Sequence, residues 1–200
     1  MRSYDLELIK RLENEIGTEL EPFPGDSEVT LPANGFDVDT YGYVYILTIK
    51  RVELRSLPAF IPEFAHLHTL IVRDTQLEDI SCLKGLKTLT RLNLSNNKIR
   101  DISSLTELAW LNRLFLIGNL VSDISGLTRL KKLKTLDLRD NIITHLPSNF
   151  LKLGMEIKWG RSYTEAEEGI FLVGNPLESP PMEIIKKGED AIKAYYKSLG

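Results

Sequence analysis

The feature of this chain that most constrains its fold is a pattern of apolar residues and one polar corner residue that recurs every 22 positions. The copies of the pattern start at Leu70, Leu92, Leu114 and Leu136. In the clearest copy, the recurring positions are Leu92, Leu94, Asn97, Ile99, Ile102, Leu105 and Leu108. A period of roughly 20–29 residues that stays in phase over several copies is typical of a solenoid of stacked coils.

The spacing within one copy indicates how a single coil is built. Leu92 and Leu94 alternate with polar residues, which predicts a short strand with one buried face. Asn97 follows at the corner, where its amide can pair with backbone groups that a sharp turn leaves free. The later apolar positions are three residues apart, which favours short 3₁₀ turns over a long α-helix. The sequence therefore predicts an α/β fold, a right-handed leucine-rich repeat solenoid with a parallel β-sheet on the concave face, a 3₁₀ or irregular convex side, and helical N- and C-terminal caps.

The division of the chain follows from where the period holds and where it breaks. We expect an N-terminal cap of a helix plus a loop or hairpin at 1–43, repeats at 44–180 with an insertion at 161–169, and a C-terminal capping helix at 181–200. The first repeat, which starts at Val44, is degenerate, as terminal repeats of solenoids usually are. The charged insertion is expected to project from the stack, and a further strand is expected within Met155–Trp159.

Local patterns add detail to the two caps. A helix is predicted over 3–16 because its apolar residues fall on one stripe. That stripe consists of Leu6, Ile9, Leu12 and Ile16. Val29–Leu31 and Phe36–Val38 are predicted to pair as a small hairpin. The C-terminal helix is expected to be interrupted at Gly188.

Composition excludes several classes of protein. The apolar fraction of 42% is ordinary for a globular chain, and the formal net charge is −3. A negative balance argues against general binding to nucleic acid or to an anionic membrane surface. No apolar run is long enough for a membrane-spanning helix, and the charged N-terminus has no apolar signal core. With Cys82 as the single cysteine, these features lead us to expect a cytoplasmic protein without an internal disulfide.

The inventory of reactive residues argues against an enzyme. The histidines are His66, His68 and His145, and no cysteine or carboxylate joins them at metal-ligand spacing, so neither a metal nor a cofactor is expected. An Asp-Ile-Ser triplet recurs in the three middle repeats, with its serines at Ser81, Ser103 and Ser125. Recurrence in every repeat indicates scaffolding, and the serine hydroxyls are predicted to cap the turns that follow.

The polar positions of the strands define a candidate binding surface. They are expected to face the concave side in three columns, so that Arg91 and Arg113 become direct neighbours on adjacent strands. Arginine combined with aromatic and aliphatic residues is the composition of an interface centre. The candidate partner-binding residues are Ile71, Arg73, Arg91, Asn93, Arg113, Phe115, Ile117, Asp137 and Arg139. The hypothesis is that they bind an acidic, partly apolar protein segment, and the alternative is that scattered apolar residues on a small sheet have no function.

The block from Gly169 to Tyr196, GIFLVGNPLESPPMEIIKKGEDAIKAYY, resembles the segment that closes the leucine-rich repeat region of Roco proteins. The resemblance implies a regulatory or sensing repeat domain of a signalling protein, whose partner could be a GTPase domain in cis that this chain lacks. The chain contains no GxxxxGK[ST] loop, so no GTP chemistry is carried over to its residues. The middle repeats resemble the 22-residue class found in internalins.

Three further functions stay open beside hetero-protein recognition. The first is self-association, in which the concave face or the helix bearing Tyr195 and Tyr196 pairs two chains into a homodimer. The second is a stand-alone adhesion scaffold of the internalin type. The third, nucleic-acid binding through the arginine columns, is disfavoured by the acidic overall balance.

Overall fold

The computed structural model describes residues 4–23, 34–159 and 167–199. One mostly parallel sheet runs through it, with nine strands in the order β1-β2-β3-β4-β5-β6-β7-β9-β8 among the described residues. The strands are β1 (Glu21–Pro22), β2 (Gly35–Val38), β3 (Val44–Lys50), β4 (Thr69–Arg73), β5 (Arg91–Asn93), β6 (Arg113–Phe115), β7 (Thr135–Asp137), β8 (Ile157–Lys158) and β9 (Gly169–Phe171). The sheet stays open, and the predicted leucine-rich repeat solenoid is confirmed.

The repeated leucines set the register of the stack. Leu47, Leu70, Leu92, Leu114 and Leu136 lie side by side on successive strands and are fully buried. Short 3₁₀ helices return the chain on the convex side, as the three-residue spacing predicted. These helices are Ile61–Glu63, Ser81–Gly85, Ser103–Glu107, Ser125–Arg129 and Phe150–Leu153. One continuous apolar core therefore lies between the sheet and the 3₁₀ side, and each coil completes the core of its neighbour.

The corner asparagines form a ladder that links the coils. Asn119 donates to the carbonyls of Leu94 (2.9 Å) and Leu116 (3.0 Å), and its oxygen accepts from the Ile99 amide (3.1 Å). Asn97, Asn141 and Asn175 repeat this arrangement, and at the first rung the Thr75 hydroxyl donates to the side-chain oxygen of Asn97. Because each amide bonds to its own coil and to the previous one, the ladder satisfies backbone groups that the buried corners would leave unpaired.

The Asp-Ile-Ser triplets cap their turns in a different way from the prediction. Ser103 N–H donates to the carboxylate of Asp101 (2.8 Å), and Ser125 N–H donates to that of Asp123 (2.8 Å). The serine backbone is therefore the donor and the aspartate side chain is the cap. These bonds, first to the backbone and then to the serine hydroxyl, lower the pKa of Asp101 and of Asp123.

The N-terminal cap consists of α1 (Tyr4–Ile16) and strands β1 and β2. The buried stripe of α1 is Asp5, Leu8, Ile9, Leu12 and Ile16. The prediction placed Leu6 on this stripe and was wrong there, because Leu6 lies about 100° from the stripe centre and is 39% exposed. Asp5 accepts from the Val44 amide (2.8 Å), and burial raises its pKa despite that bond.

Strand β2 does not depend on the predicted hairpin partner. It pairs antiparallel with β3, so that Gly35 lies opposite Thr48, and parallel with β1. The proposed partner strand, Val29–Leu31, lies outside the described residues. A Cβ at Gly35 would stand 2.2 Å from the Glu21 carbonyl oxygen, so only glycine fits this close approach of the two strands.

At the C-terminal end the order of strands departs from the order of the sequence. The predicted strand within Met155–Trp159 is present as β8, but β9 lies between β7 and β8. Most of the charged insertion lies outside the described residues. Its last part, at Glu167, contacts the stack, because the Glu167 carbonyl accepts from the Thr135 hydroxyl (2.9 Å) and its carboxylate lies 3.2 Å from Lys158 Nζ.

The C-terminal cap is formed by α2 (Met182–Ile185) and α3 (Glu189–Ser198). The predicted interruption is present at Gly188, which has a φ of +91°. Ile185 and Ile192 are buried against the last coils. The Tyr196 hydroxyl donates to the Leu146 carbonyl, which ties α3 to the stack. Burial and the nearby Tyr195 raise the pKa of Tyr196.

Candidate functional site

The concave face of the sheet carries the three columns of side chains that the repeat predicted. The first column aligns Ile46, Thr69, Arg91, Arg113 and Thr135, and the central column aligns Thr48, Ile71, Asn93, Phe115 and Asp137. The third column begins with Lys50 beside Arg73 and continues through Ser95, Ile117 and Arg139. The register therefore brings every candidate partner-binding residue onto one face.

The central column is buried, so its apolar members do not offer the exposed area that the predicted interface centre requires. Ile71 is 4% exposed and Phe115 only 1%, and the polar members Asn93 and Asp137 are buried as well. The physical reason is coverage by the flanking columns. A guanidinium carbon of Arg91 lies 5.4 Å from the centre of the Phe115 ring. The surface of this face is thus made of the flanking side chains above the buried central column.

Arg139 is held by its own repeat. It bonds to Asp137 through two nitrogens, Nε to Oδ1 at 2.9 Å and the terminal nitrogen to Oδ2 at 2.7 Å. Asp137 is fully buried and Arg139 nearly so. The same guanidinium lies 5.7 Å from the centre of the Phe171 ring. A buried carboxylate without a cationic partner is strongly destabilising. The main role of Arg139 is therefore to neutralise Asp137 and stabilise the fold.

The remaining charges on this face are mostly positive. Lys50, Arg73, Arg91 and Arg113 are half-buried, so each has part of its side chain at the surface. The anionic members already have partners among the described residues, because Asp137 is bonded to Arg139 and Asp37 accepts from the Tyr45 hydroxyl. Arg73 also lies 3.3 Å from Asp74 at the rim. The side chains at the surface of this face are therefore mainly cationic, although the whole chain has a net charge of −3.

Buried polar atoms without a hydrogen-bond partner are concentrated on the same face. Among the described residues they are Thr48 Oγ1, Ser95 Oγ and Arg73 Nε, and the last of these forms an ion pair with Asp74 Oδ2 at 3.3 Å. All three lie on the concave side of three neighbouring strands or directly after them. Buried polar groups normally have a hydrogen-bond partner, so Thr48 and Ser95 are the positions on this face where a hydroxyl has none within the protein.

Sequence reasoning missed a second group of exposed rings, at the edge where the chain enters the strands. Trp110 is 58% exposed, and Lys132 Nζ lies 3.2 Å from the centre of its ring. Tyr43 stacks on His66 with ring centres 4.0 Å apart, and His66 lies 4.0 Å from Asp39. The signal was present in the sequence, since Trp110 and Lys132 are one repeat apart and such residues stack.

The described residues offer little for catalysis or metal binding. Within 4–23, 34–159 and 167–199, no cluster of three or more histidine, cysteine or acidic residues could hold a metal ion. A groove of about 360 Å³ lies on the convex side between two repeats and is lined by Asp79, Asp101 and Glu107 among others. Burial raises the pKa of the Cys82 thiol to about 11, which makes it a poor nucleophile.

No helix in the described part of the chain has the length and apolar content needed to span a lipid bilayer.

Comparisons with known proteins agree with the geometry of the stack. A family model described as leucine-rich repeats (two copies) matches residues 65–107. The leucine-rich repeat ectodomain of the receptor kinase SOBIR1 from Arabidopsis thaliana superposes with a TM-score of 0.58 and 19% identity, covering 90% of this chain and 98% of that one. The ectodomain of GASSHO1/SCHENGEN3 from Arabidopsis thaliana, in complex with CASPARIAN STRIP INTEGRITY FACTOR 2, gives 0.58 and 21%, covering 72% of this chain and 17% of that one.

The similarity to internalins is weaker. Internalin C2 from Listeria monocytogenes aligns with 23% identity and a TM-score of 0.46, over 56% of this chain and 61% of the internalin. This chain therefore spans less than two thirds of that protein, and the predicted internalin class stays a prediction. A comparison with curated proteins found no match.

Leucine-rich repeat domains generally mediate protein–protein recognition and are typically non-catalytic scaffolds. The strand register, the asparagine ladder, the family model and the neighbouring structures agree: this chain is a leucine-rich repeat solenoid.

Proposed function

We propose that this chain is a non-catalytic recognition module that binds an acidic protein segment on its concave face. The observation that carries the proposal is the pair of Arg91 and Arg113, which are direct neighbours in the first column on β5 and β6, with Arg73 in the third column on β4. Like charges on adjacent strands cost stability when the protein is alone. An acidic partner offsets that cost, and a preformed solenoid loses little conformational entropy on binding.

The burial of the central column changes which residues are expected to carry the affinity. Phe115 lies under Arg91, so it supports the guanidinium and a partner meets the charge first. Ile117 is half-buried and provides apolar contact area beside the arginines. Arg91 and Arg113 are the proposed hot spots, and Ile71, Asn93, Asp137 and Arg139 are proposed to shape and stabilise the floor beneath them.

The test is a comparison of variants in affinity capture from the lysate of the source cell. The Arg91→Glu/Arg113→Glu double variant reverses both charges of the pair, and Arg129→Glu makes a single charge reversal at an exposed position on the convex side. A partner retained by the wild type and by Arg129→Glu, but lost by the double variant, supports the proposal. We expect an affinity loss of about 2 kcal/mol or more, roughly 30-fold, for the captured partner. Equal capture by all three folded proteins would contradict it.

The cellular role that we propose is the regulatory or sensing repeat domain of a Roco-like signalling protein in the cytoplasm. Its support is the block Gly169–Tyr196, which supplies β9, the last ladder residue Asn175 and both C-terminal helices. In a Roco-like protein, the partner that we propose for the concave face is a GTPase domain of the same polypeptide. The direct test is to add a purified Roc GTPase domain and measure binding to the wild type and to the reversed variant. An internalin-like adhesion scaffold is the alternative role.

A specific observation keeps self-association as a second candidate. Among residues 4–23, 34–159 and 167–199, strand β8 pairs with β9 alone, and the apolar side chains around it are only partly buried. These side chains are Leu151, Leu153, Met155, Ile157 and Trp159. An edge strand with apolar neighbours can pair with a second copy of itself. Light scattering distinguishes a homodimer from recognition of another protein. For a homodimer, the measured mass rises with protein concentration for the wild type and stays at the monomer mass for Ile157→Lys.

A further inference from the structure

We propose that the edge of the stack where the chain enters the strands holds a second binding site, which takes an aromatic side chain of a protein partner. The site is the space between the rings of His66 and Trp110. Thr88 forms its floor, and we call this space the ring gap. The inference goes beyond the proposed function, because the ring gap does not belong to the concave face.

Side chains at one position of the repeat form a row along this edge. The register of β3 and β4 aligns Tyr43 with His66, and the row continues at intervals of 22 residues through Thr88, Trp110 and Lys132. Successive members are about 4.8 Å apart, which is the spacing of neighbouring strands in a sheet. At four of the five positions the row has a ring or a long side chain, and at Thr88 it has a short one.

The two walls of the ring gap are rings that are already covered on one face. Tyr43 lies against His66 with ring centres 4.0 Å apart and planes inclined by 6°, so it covers His66 from the N-terminal side. Lys132 belongs to the next coil, and its Nζ lies 3.2 Å from the centre of the Trp110 ring. Among the described residues these are the ring contacts of His66 and Trp110, and at least half of each side chain is exposed. The faces that stay open are therefore those turned towards Thr88.

The floor leaves the middle of the row empty. The Thr88 hydroxyl donates to the Leu67 carbonyl at 2.8 Å, so this short side chain is held against the backbone of the preceding coil. Beside it, towards the 3₁₀ helices, Lys87 Nζ lies 2.6 Å from a carboxylate oxygen of Glu107 and forms a polar rim. The ring gap thus has two aromatic walls, a small floor and one charged side.

The spacing of the walls favours a ring as the occupant. His66 and Trp110 are two coils apart, which corresponds to about 9.6 Å. A ring midway between them lies about 4.8 Å from each, and aromatic pairs prefer ring centres about 4.5–7 Å apart. A planar side chain can therefore contact both walls with its two faces, whereas a branched aliphatic side chain has no flat faces. The pair of Tyr43 and His66 shows that rings stack at this spacing within the same row.

The charges around the ring gap favour an aromatic side chain over a nucleobase. A base in a nucleic acid brings phosphates, which bind to cationic side chains. Lys87 is already paired with Glu107, whose side chain is 57% exposed, and Asp39 lies 4.0 Å from His66 on the other side. Carboxylates thus flank the gap at two places. Aromatic residues are enriched in protein interfaces, which agrees with a protein as the source of the ring.

The test is a set of NMR titrations of the isotope-labelled protein with three small probes. N-acetyltyrosine amide supplies the aromatic side chain, N-acetylleucine amide is an apolar control without a flat ring, and adenosine monophosphate supplies a nucleobase. The Trp110 indole N–H and the Thr88 backbone amide report binding, because a stacked ring shifts the signals of the groups beneath it. The tyrosine amide is expected to bind about tenfold tighter than either of the other probes, because its ring contacts two walls.

Three variants locate the site. Thr88→Tyr fills the ring gap from within the chain and should abolish binding of the tyrosine amide. Trp110→Leu removes one wall at an exposed position, so it serves if Thr88→Tyr does not fold, and the affinity should fall about tenfold as read from the Thr88 amide. Lys84→Tyr adds a ring at an exposed position on the convex side of the same coil and should bind like the wild type.

Each other outcome overturns a stated part of the inference. If the leucine amide binds as tightly as the tyrosine amide, the gap does not select rings. If adenosine monophosphate binds more tightly and competes with the tyrosine amide, the assignment to a protein partner is wrong. Unchanged binding to Thr88→Tyr or to Trp110→Leu would place the probe elsewhere. If no probe shifts either signal, the ring gap is not a binding site, and the proposal for the concave face is unaffected, because the variants leave Arg91 and Arg113 in place.

Discussion

Replacing Asn119 by alanine is the sharpest test of how the coils are held together. Asn119 donates to two carbonyls at 3.0 Å or less, and each of them has a second donor, because Leu94 also accepts from Asn97 and Leu116 also accepts from Asn141. The Ile99 amide has the Asn119 oxygen as its acceptor at 3.1 Å. The substitution therefore removes one of two hydrogen bonds to each of the Leu94 and Leu116 carbonyls, and it leaves the buried Ile99 amide without an acceptor.

The expected magnitude follows from that difference. A buried donor left unpaired costs about 1–3 kcal/mol, and each lost bond to a carbonyl that keeps another donor costs about 0.5–1 kcal/mol. We therefore expect Asn119→Ala to lower the free energy of unfolding by about 2–5 kcal/mol. Asn119→Thr should lose less, because Thr75 already shows that a hydroxyl can occupy a rung of this ladder.

The measurement is urea unfolding followed by circular dichroism, with Asn112→Ala as the control. Asn112 is half-buried beside β6, and its backbone groups bond to Thr90 and Lys134 regardless of the side chain. The control is expected to change stability by less than about 0.5 kcal/mol. A loss below about 1 kcal/mol for Asn119→Ala, or one equal to the control, would refute the reasoning that the ladder satisfies buried backbone groups.

Three smaller predictions follow from the turns and the cysteine. Gly118→Ala should destabilise the protein by about 1–3 kcal/mol in thermal melts, because Gly118 has a φ of +63° and its new Cβ would stand 2.6 Å from the Asn96 side chain; an unchanged melting temperature contradicts this. Hydrogen bonds lower the pKa of Asp101 and of Asp123 in the folded protein, so the stability that these bonds add is present above the unfolded pKa, 3.8, and is lost as pH falls through the folded pKa. Asp101→Asn/Asp123→Asn should therefore flatten the acid side of a profile of melting temperature against pH. Cys82, with a pKa of about 11, should react slowly with a thiol reagent at pH 8 and rapidly after unfolding, and fast native labelling would show that the thiol is accessible.

The parts of the fold that the sequence predicts well are those determined by the repeat itself. Residues one repeat apart lie side by side, so the pairing of Arg91 with Arg113 follows from counting. The corner role of Asn97 follows because few side chains both donate and accept at a buried turn. In both cases the local pattern and the neighbouring coil impose the same requirement.

The features that the sequence did not predict are of two kinds. Some depend on contacts between side chains of different columns of the concave face, and others depend on a choice between two residues or strands that suit the same position. Phe115 occupies an outward position of its strand and is nevertheless buried, with the Arg91 guanidinium over its ring. The sequence identifies β8 and β9 as strands, but periodicity does not encode which of them pairs with β7. For the Asp-Ile-Ser triplet, aspartate and serine are both good capping residues, and the backbone geometry decides between them.

In the sheet β9 lies between β7 and β8, although β8 comes first in the sequence. The order in which strands can pair therefore differs between the two ends of the stack. From β3 to β7, each strand can pair with its neighbour as soon as the next coil has been synthesised. The edge of β7 has to wait until Gly169–Phe171 has emerged, after β8 is already present. Ile157 aligns with Ile170, which in turn aligns with Leu136, so a nascent β8 could pair with β7 in the same register that β9 later occupies. During folding, β8 and β9 therefore compete for the same edge of β7, and in the native fold the later strand, β9, occupies that position.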